Sequence, residues 1–151
     1  IMLNVKENQI LFVGSHTHTI DDKKRVIFPS TWRNLLGTKN SIYIFPHSER
    51  ACLHVYSHEE MNRRLAILRD TTLDQEKENV IRSITSSADM ILLDGQGRIR
   101  INDNLLHHIE IKNQIVFVGV LSRIEIWSLE KYESLLPEIS DNADNLFFSG
   151  Y

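Results

Sequence analysis

The chain has one cysteine, Cys52, in 151 residues, so no intrachain disulfide can form and a reducing compartment is permitted. There are three prolines and six glycines, and no Gly/Ser/Pro-rich linker divides the chain. No long hydrophobic run is present. The longest in the C-terminal half, Ile115 to Leu121, falls far short of the roughly 18 residues needed to cross a bilayer. Lys6 and Glu7 interrupt the stretch where an export signal would be apolar, so no such signal is expected. Positive charge is not in excess either. The formal net charge is −3, so any binding to nucleic acid must come from cations gathered locally. Disorder is excluded by the 42% of hydrophobic residues, enough for a packed core at a length of about one domain or two small ones.

What the chain does have is an internal recurrence. A shift of 73 positions lays Asp94 on Asp21, Arg98 on Arg25, and the apolar run Ile115 to Val118 on Ile42 to Phe45. A shift of 71 lays IEIWSLE, Ile124 to Glu130, on LHVYSHE, Leu53 to Glu59. Each half therefore has one order: an acid, a basic turn, an apolar run, a short helix, two strands and a helix. A half of about fifty residues buries too little to stand alone. The two halves are expected to share one core about a pseudo-two-fold axis, as a single β-rich, barrel-like body with both turns displayed at corresponding places.

Local patterns fill in the elements. Ile10 to Val13 is a strand candidate, and the alternation of His16, His18 and Ile20 with Thr17 and Thr19 predicts another. Val26 to Phe28 leaves the first turn as a strand. Pro29 sets up a helix, with Ser30 or Thr31 as its cap and Gly37 as its stop. In the second half, Ile91 to Leu93 and Arg98 to Ile101 flank the GQG turn, and Asp103 can cap the helix that follows. Ser57-x-x-Glu60 is a capping box for a helix to about Arg69, and Thr72-x-x-Gln75 opens another with Val80, Ile81 and Ile84 on one face. The organisation read from this is 10–60, connecting helices over 61–88, then 89–136, and a tail over 137–151. That tail carries Leu146, Phe147, Phe148 and Tyr151, which are read as loose or as docking aromatics.

The candidate chemistry lies in the two turns. In DDKKR, Asp21 can accept from turn N–H groups or from Arg25, four residues on, and so fix the guanidinium. Arg25 then keeps donors for a phosphate or a guanine edge, while Lys23 and Lys24 supply charges for a phosphate backbone. Asp94 and Arg98 repeat the pairing around Gln96, with Gly95 and Gly97 permitting a tight turn. A solvated turn with a weak internal salt bridge is the competing reading for either turn alone. Other constellations carry less. His16, His18, His47, His54 and His58 fall on different elements without a ligand-spaced cysteine, so half-buried or surface histidines are expected. Cys52 begins an apolar strand and is read as a small core residue. His107-His108-x-Glu110 lacks the spacing of a zincin helix. Trp32, Tyr56 and Trp127 are expected as core anchors. No serine–histidine–aspartate order argues for catalysis.

Together these residues carry a resemblance. HTIDDKKRVIFPSTWR, His18 to Arg33, and LLDGQGRIRINDNLL, Leu92 to Leu106, resemble the two signatures of the MraZ family. LHVYS and IEIWS, at Leu53 to Ser57 and Ile124 to Ser128, match where that family carries them, and the resemblance runs from about Leu11 to Leu136. It implies an α+β, β-rich fold of two AbrB-like swapped-hairpin repeats. These would form one pseudo-two-fold body like a double-split or double-psi β-barrel, with connecting and flanking helices. It also implies a ring-shaped homo-oligomer. The implied role is a cytoplasmic, nucleoid-associated, non-enzymatic regulator binding direct repeats in promoter DNA of the bacterial division and cell-wall gene cluster, with no cofactor, membrane or small-molecule substrate. Asp21, Lys23, Lys24, Arg25, Asp94, Gln96 and Arg98 are the implied DNA-contacting set. Lys24 stands where the family usually has glycine, so the first turn is expected to be shaped differently if that position needs positive φ. Asn102 stands where it has proline, which loosens the helix entry and leaves a capping residue there. Two other readings stay open: an AbrB-like antitoxin or protein-interaction module, and, at long odds, a hydrolase using Asp, Arg and His.

Overall fold

The computed structural model describes residues 10–72 and 74–136. Lys6, Glu7 and the aromatic tail lie outside the described residues. Eight strands run as β1 (Ser15–Thr19), β2 (Arg25–Ile27), β3 (Ser41–Pro46), β4 (Cys52–Ser57), β5 (Asp89–Leu92), β6 (Arg98–Arg100), β7 (Gln114–Val120) and β8 (Arg123–Ser128). The helices are α1 (Ser30–Arg33), which continues as a 3-10 turn over Asn34–Leu36, α2 (His58–Arg69), α3 (Gln75–Ser86) and α4 (Asp103–His108). Instead of the first strand expected over Ile10 to Val13, a single bridge joins Phe12 to Leu121.

The strands interleave the two halves of the sequence. One antiparallel six-stranded sheet has the order β1-β7-β8-β4-β3-β5, and β2 pairs with β6 in a separate ribbon. The registers carry the sequence recurrence. Thr19 faces Gln114 and Leu92 faces Ser41, the same pairing displaced by the 73-residue shift. Val26 faces Ile99, its own counterpart in the other half. The barrel-like body expected from the sequence does not close into one barrel: β1 and β5 are the two edges of the large sheet, and β2 and β6 pair only with each other.

Strand alternation sorts the side chains onto two faces. Ile42, Ile44, Leu53, Val55, Ile115, Phe117, Ile124 and Ile126 point into the core, closed from the other side by Val26 and Ile99 of the ribbon and by Phe28, Trp32, Ile101, Leu105 and Ile109. Phe28 sits at its centre, edge-on to Trp32 and Phe117. Full burial of each such side chain contributes about 1.5–3 kcal/mol before entropy is counted. Trp32, Tyr56 and Trp127 are buried, as the apolar surroundings predict. The opposite face of β3 and β4 carries Tyr43, Phe45, His54 and Tyr56 beneath α2 and α3. A cleft of about 550 Å³ lies there, lined in part by Met61, Ile67, Val80 and Ile84. The apolar face of α3 thus borders a cleft, and none of that helix's residues is buried.

Two caps differ from expectation, and at a third one of the two candidate residues is used. α1 starts after Pro29, whose carbonyl accepts from Trp32 N–H at 3.0 Å, and neither Ser30 nor Thr31 makes a capping bond. α4 is capped by Asn102, which accepts from Leu105 N–H at 2.9 Å, so Asp103 falls in the first turn with its carboxylate turned elsewhere. α3 is capped by Asp74, accepting from Lys77 N–H at 2.8 Å, in place of Thr72. Half of the Ser57 capping box forms: Ser57 Oγ accepts from Glu60 N–H. The Glu60 carboxylate is held instead by Arg63 and Arg64 from the next turn of its own helix.

The histidines are mostly packing residues. His16 lies edge-on to Trp32 at 5.0 Å and His18 edge-on to Phe117. Burial, with His16 and Arg33 nearby, lowers the pKa of His18. Cys52 is buried, and burial pushes its thiol up to about 12, which makes it a poor nucleophile.

Candidate nucleic-acid interface

Each turn is built by its aspartate. Asp21 Oδ1 accepts from the backbone N–H groups of Lys23 and Arg25 at 2.9 and 2.8 Å, and Oδ2 accepts from Arg25 Nε at 3.0 Å. In the second turn Asp94 Oδ1 accepts from Gln96 and Arg98 N–H, both at 2.9 Å, and Oδ2 from Arg98 Nε at 2.8 Å. The backbone bonds match as well: Asp21 N–H to Arg25 O and Lys24 N–H to Asp21 O, against Asp94 N–H to Arg98 O and Gly97 N–H to Asp94 O. A carboxylate accepting three such bonds favours its charged form. Asp21 and Asp94 accordingly sit below the usual carboxylate value, through the backbone N–H of Arg25 and of Arg98 first and their guanidinium groups second. Only Nε of each arginine is spent on this, so the guanidinium plane is set while the Nη groups remain the donors for an outside ligand.

The fourth position of each turn needs a left-handed backbone. Gly97 has φ 75° and Lys24 has φ 64°. The expectation that Lys24 would reshape the first turn is therefore corrected. The turn keeps its form, and the lysine adopts the backbone that glycine takes more readily, at a cost of roughly 1–2 kcal/mol. Its ammonium group pairs with the Asp103 carboxylate on α4, which lowers the pKa of Asp103. Gly97 has a second reason to be glycine. A Cβ there would meet the Arg33 guanidinium at 2.2 Å, because Arg33 crosses behind the turn to donate from Nε to Phe28 O.

The two turns are joined. Phe28 N–H donates to Gly97 O at 2.9 Å and Ile101 N–H donates to Lys24 O at 3.0 Å, so each turn holds the end of the other's strand. Between them the β2–β6 ribbon points Val26 and Ile99 into the core and sends Arg25, Ile27, Arg98 and Arg100 to its other face. Arg25 lies directly opposite Arg100. Like charges in that relation repel, by roughly 0.2–1 kcal/mol on an exposed ribbon, and an anionic ligand would relieve them. The structure brings Asp21, Lys23, Lys24, Arg25, Asp94, Gln96 and Arg98 onto these two turns, with Lys23 and Gln96 exposed at corresponding tips. Sequence reasoning missed Arg100 and Arg33. Alternation in Arg98-Ile99-Arg100 could have placed Arg100 beside Arg98, whereas nothing local in the sequence points Arg33 at Gly97.

These features define an interleaved antiparallel α+β protein that displays one cation-bearing turn twice, with the copies hydrogen-bonded to each other. Residues 84–146 match the sequence family described as "MraZ protein, putative antitoxin-like". The chain is 38% identical over 136 residues to the Transcriptional regulator MraZ of Lachnoclostridium phytofermentans, covering 90% of this chain and 92% of that protein. It is 36% identical to the protein of the same name from Moorella thermoacetica, over 90% of this chain and 94% of the relative. Against the one from Thermoanaerobacter sp. it is 37% identical over 91% and 92%. The chain belongs to the MraZ family.

Proposed function

We propose that this protein is a sequence-specific DNA-binding transcriptional regulator, and that its two Asp–Arg turns are the DNA-contacting surface. The observation that carries this reading is the identical bonding of the two turns, each fixing an arginine by an aspartate on a shared ribbon. Arg25 and Arg98 would read base edges, while Lys23, Lys24 and Arg100 would meet phosphates. The names of the relatives support the class of function. The exchange of β1 and β5 between the two halves of the large sheet supports a pair of AbrB-like swapped-hairpin repeats over 10–60 and 89–136.

The target we infer is promoter DNA with direct repeats, as in a bacterial division and cell-wall gene cluster, engaged by a ring of several copies. One chain has few cations to spare. Asp21, Asp94 and Asp103 already pair with Arg25, Arg98 and Lys24, and Asp22 adds a further negative charge. Several weak contacts made together gain through effective concentration. The test is selection of bound duplexes from a random pool, followed by gel shift with the recovered sequence. Recovery of a repeated motif supports the proposal. Failure to enrich any sequence, together with co-purification of a small protein in fixed ratio, would favour the antitoxin-like alternative.

A further inference from the structure

The face of the sheet away from the ribbon holds a side-chain cluster that the DNA-contacting reading does not use. His47 follows the end of β3, Cys52 opens β4, and His54 lies two residues along the same strand, on the same face. One ligand atom from each of the three lies within 4.8 Å of the others, and they are the one such group of histidine, cysteine or acidic residues among the described residues. The histidines do fall on different elements, as expected, but the fold brings two of them to Cys52. The β3–β4 hairpin folds His47 back over β4, where its N–H donates to Cys52 O at 3.0 Å and its ring stacks on that of His54 with centroids 4.5 Å apart.

We propose that His47, Cys52 and His54 bind one thiophilic divalent cation of the zinc class per chain. Two imidazoles and a thiolate are the donor set such ions prefer, and three protein ligands leave one position for solvent. The coordination distances of zinc bring ligand atoms to about 3.5 Å from one another, a small contraction for side chains on a hairpin end. An outer shell is also in place. Glu125, opposite His54 on β8, has Oε2 at 3.4 Å from His54 Nε2 and is itself held by Arg123 and by Trp127 Nε1–H. A half-buried carboxylate on Nε2 fixes the tautomer and orientation of a histidine that ligates through Nδ1, which on His54 would exchange its 3.2 Å contact with Tyr56 Oη for the metal. His47 and His54 line the 550 Å³ cleft, which gives an ion a route to the otherwise buried Cys52.

The site breaks the internal symmetry. On β8 the positions corresponding to Cys52 and His54 under the 71-residue shift are Arg123 and Glu125, which cannot form a second copy. Repeat structure therefore does not account for the cluster, and the stoichiometry must be one. Binding replaces the Cys52 thiol proton, which leaves to solvent, by the metal.

The experiment uses the full chain dialysed against Zn2+ and, in parallel, against Co2+ as a spectroscopic probe. The expected result is one zinc per chain and a thiolate-to-cobalt charge-transfer band in the near ultraviolet. Cys52→Ser should abolish the band, and His47→Ala should weaken zinc binding by more than the roughly 10–100-fold that loss of an outer-shell partner costs. His107→Ala, at an exposed position of α4, should change neither. Well under one equivalent of zinc in the parent protein, a cobalt spectrum without the thiolate band, or unchanged binding in His47→Ala would each overturn the proposal. The parent cobalt spectrum and His47→Ala decide the matter even if Cys52→Ser does not fold.

Discussion

Lys24 and Gly97 hold the same place in the two turns, both with left-handed backbone, and each gives its carbonyl to the strand that leaves the other turn. One is a residue that strains to be there and the other a residue that cannot be replaced without a clash. Lys24→Gly should stabilise the fold by up to about 1 kcal/mol, since relief of the backbone outweighs loss of an exposed ion pair with Asp103. Gly97→Ala should destabilise it by about 1–2 kcal/mol from backbone strain alone, with displacement of Arg33 in addition. Urea unfolding of the two variants measures both. A neutral Gly97→Ala would show that Arg33 and the turn yield together.

The arginines should separate from the lysines in their effect on DNA. Arg25→Ala is expected to weaken binding to the selected sequence more than Arg98→Ala, because Lys23 adds an exposed cation beside Arg25 at the position where the second turn has Gln96. Each lost bidentate base contact should cost about 1–3 kcal/mol. Lys23→Ala should weaken selected and scrambled duplexes alike. Competition titrations report the ratio, and operator affinity at the parent level in Arg25→Ala would reduce the first turn to a solvated loop.

Salt and repeat number test the collective binding. The logarithm of affinity should fall with the logarithm of salt concentration by about 0.9 per neutralised phosphate, while the assembly size stays constant. Affinity should climb steeply from one to two to three repeats. Equal affinity for all three would rule out simultaneous engagement.

The turns should also report their own acid limit. Asp21 and Asp94 have folded pKa values below the unfolded value of about 3.9, so their stabilising contribution is complete above that value and is lost as pH falls through the folded values. Carboxyl-carbon NMR titration should place both midpoints below about 3.9, with the Arg25 and Arg98 Nε–H signals unchanged from neutrality down to about pH 4. A midpoint at or above the unfolded value for either aspartate would mean that its three hydrogen bonds do not persist in solution.

The two turns were legible in the sequence because their information is local. An aspartate four residues before an arginine, spanning residues able to turn, describes its own hydrogen bonds, and the 73-residue recurrence survives as strand register. The α2 span and the burial of Trp32, Tyr56 and Trp127 were readable for the same reason, from capping and apolar neighbours. What escaped was information that only the folded chain creates. Barrel closure depended on which edges meet, and the cap of α3 fell to Asp74 in place of Thr72 through competition among adjacent polar residues. The cluster of His47, Cys52 and His54 was invisible because a hairpin, rather than a short motif, brings its members together.

The interleaving of strands has a consequence for how this chain must be made. Ser15 finds its partner at Val118, and Asp89 finds its partner at Ile44. During synthesis β1 therefore waits, with nothing to pair with in its own half, until nearly four-fifths of the sequence has left the ribosome. The β3–β4 hairpin can close early, but the ribbon holding Arg25 and the edge holding His16 and His18 cannot. The surface that carries the two turns cannot form before Arg100 has been made, so a chain cut short before β6 would lack it altogether.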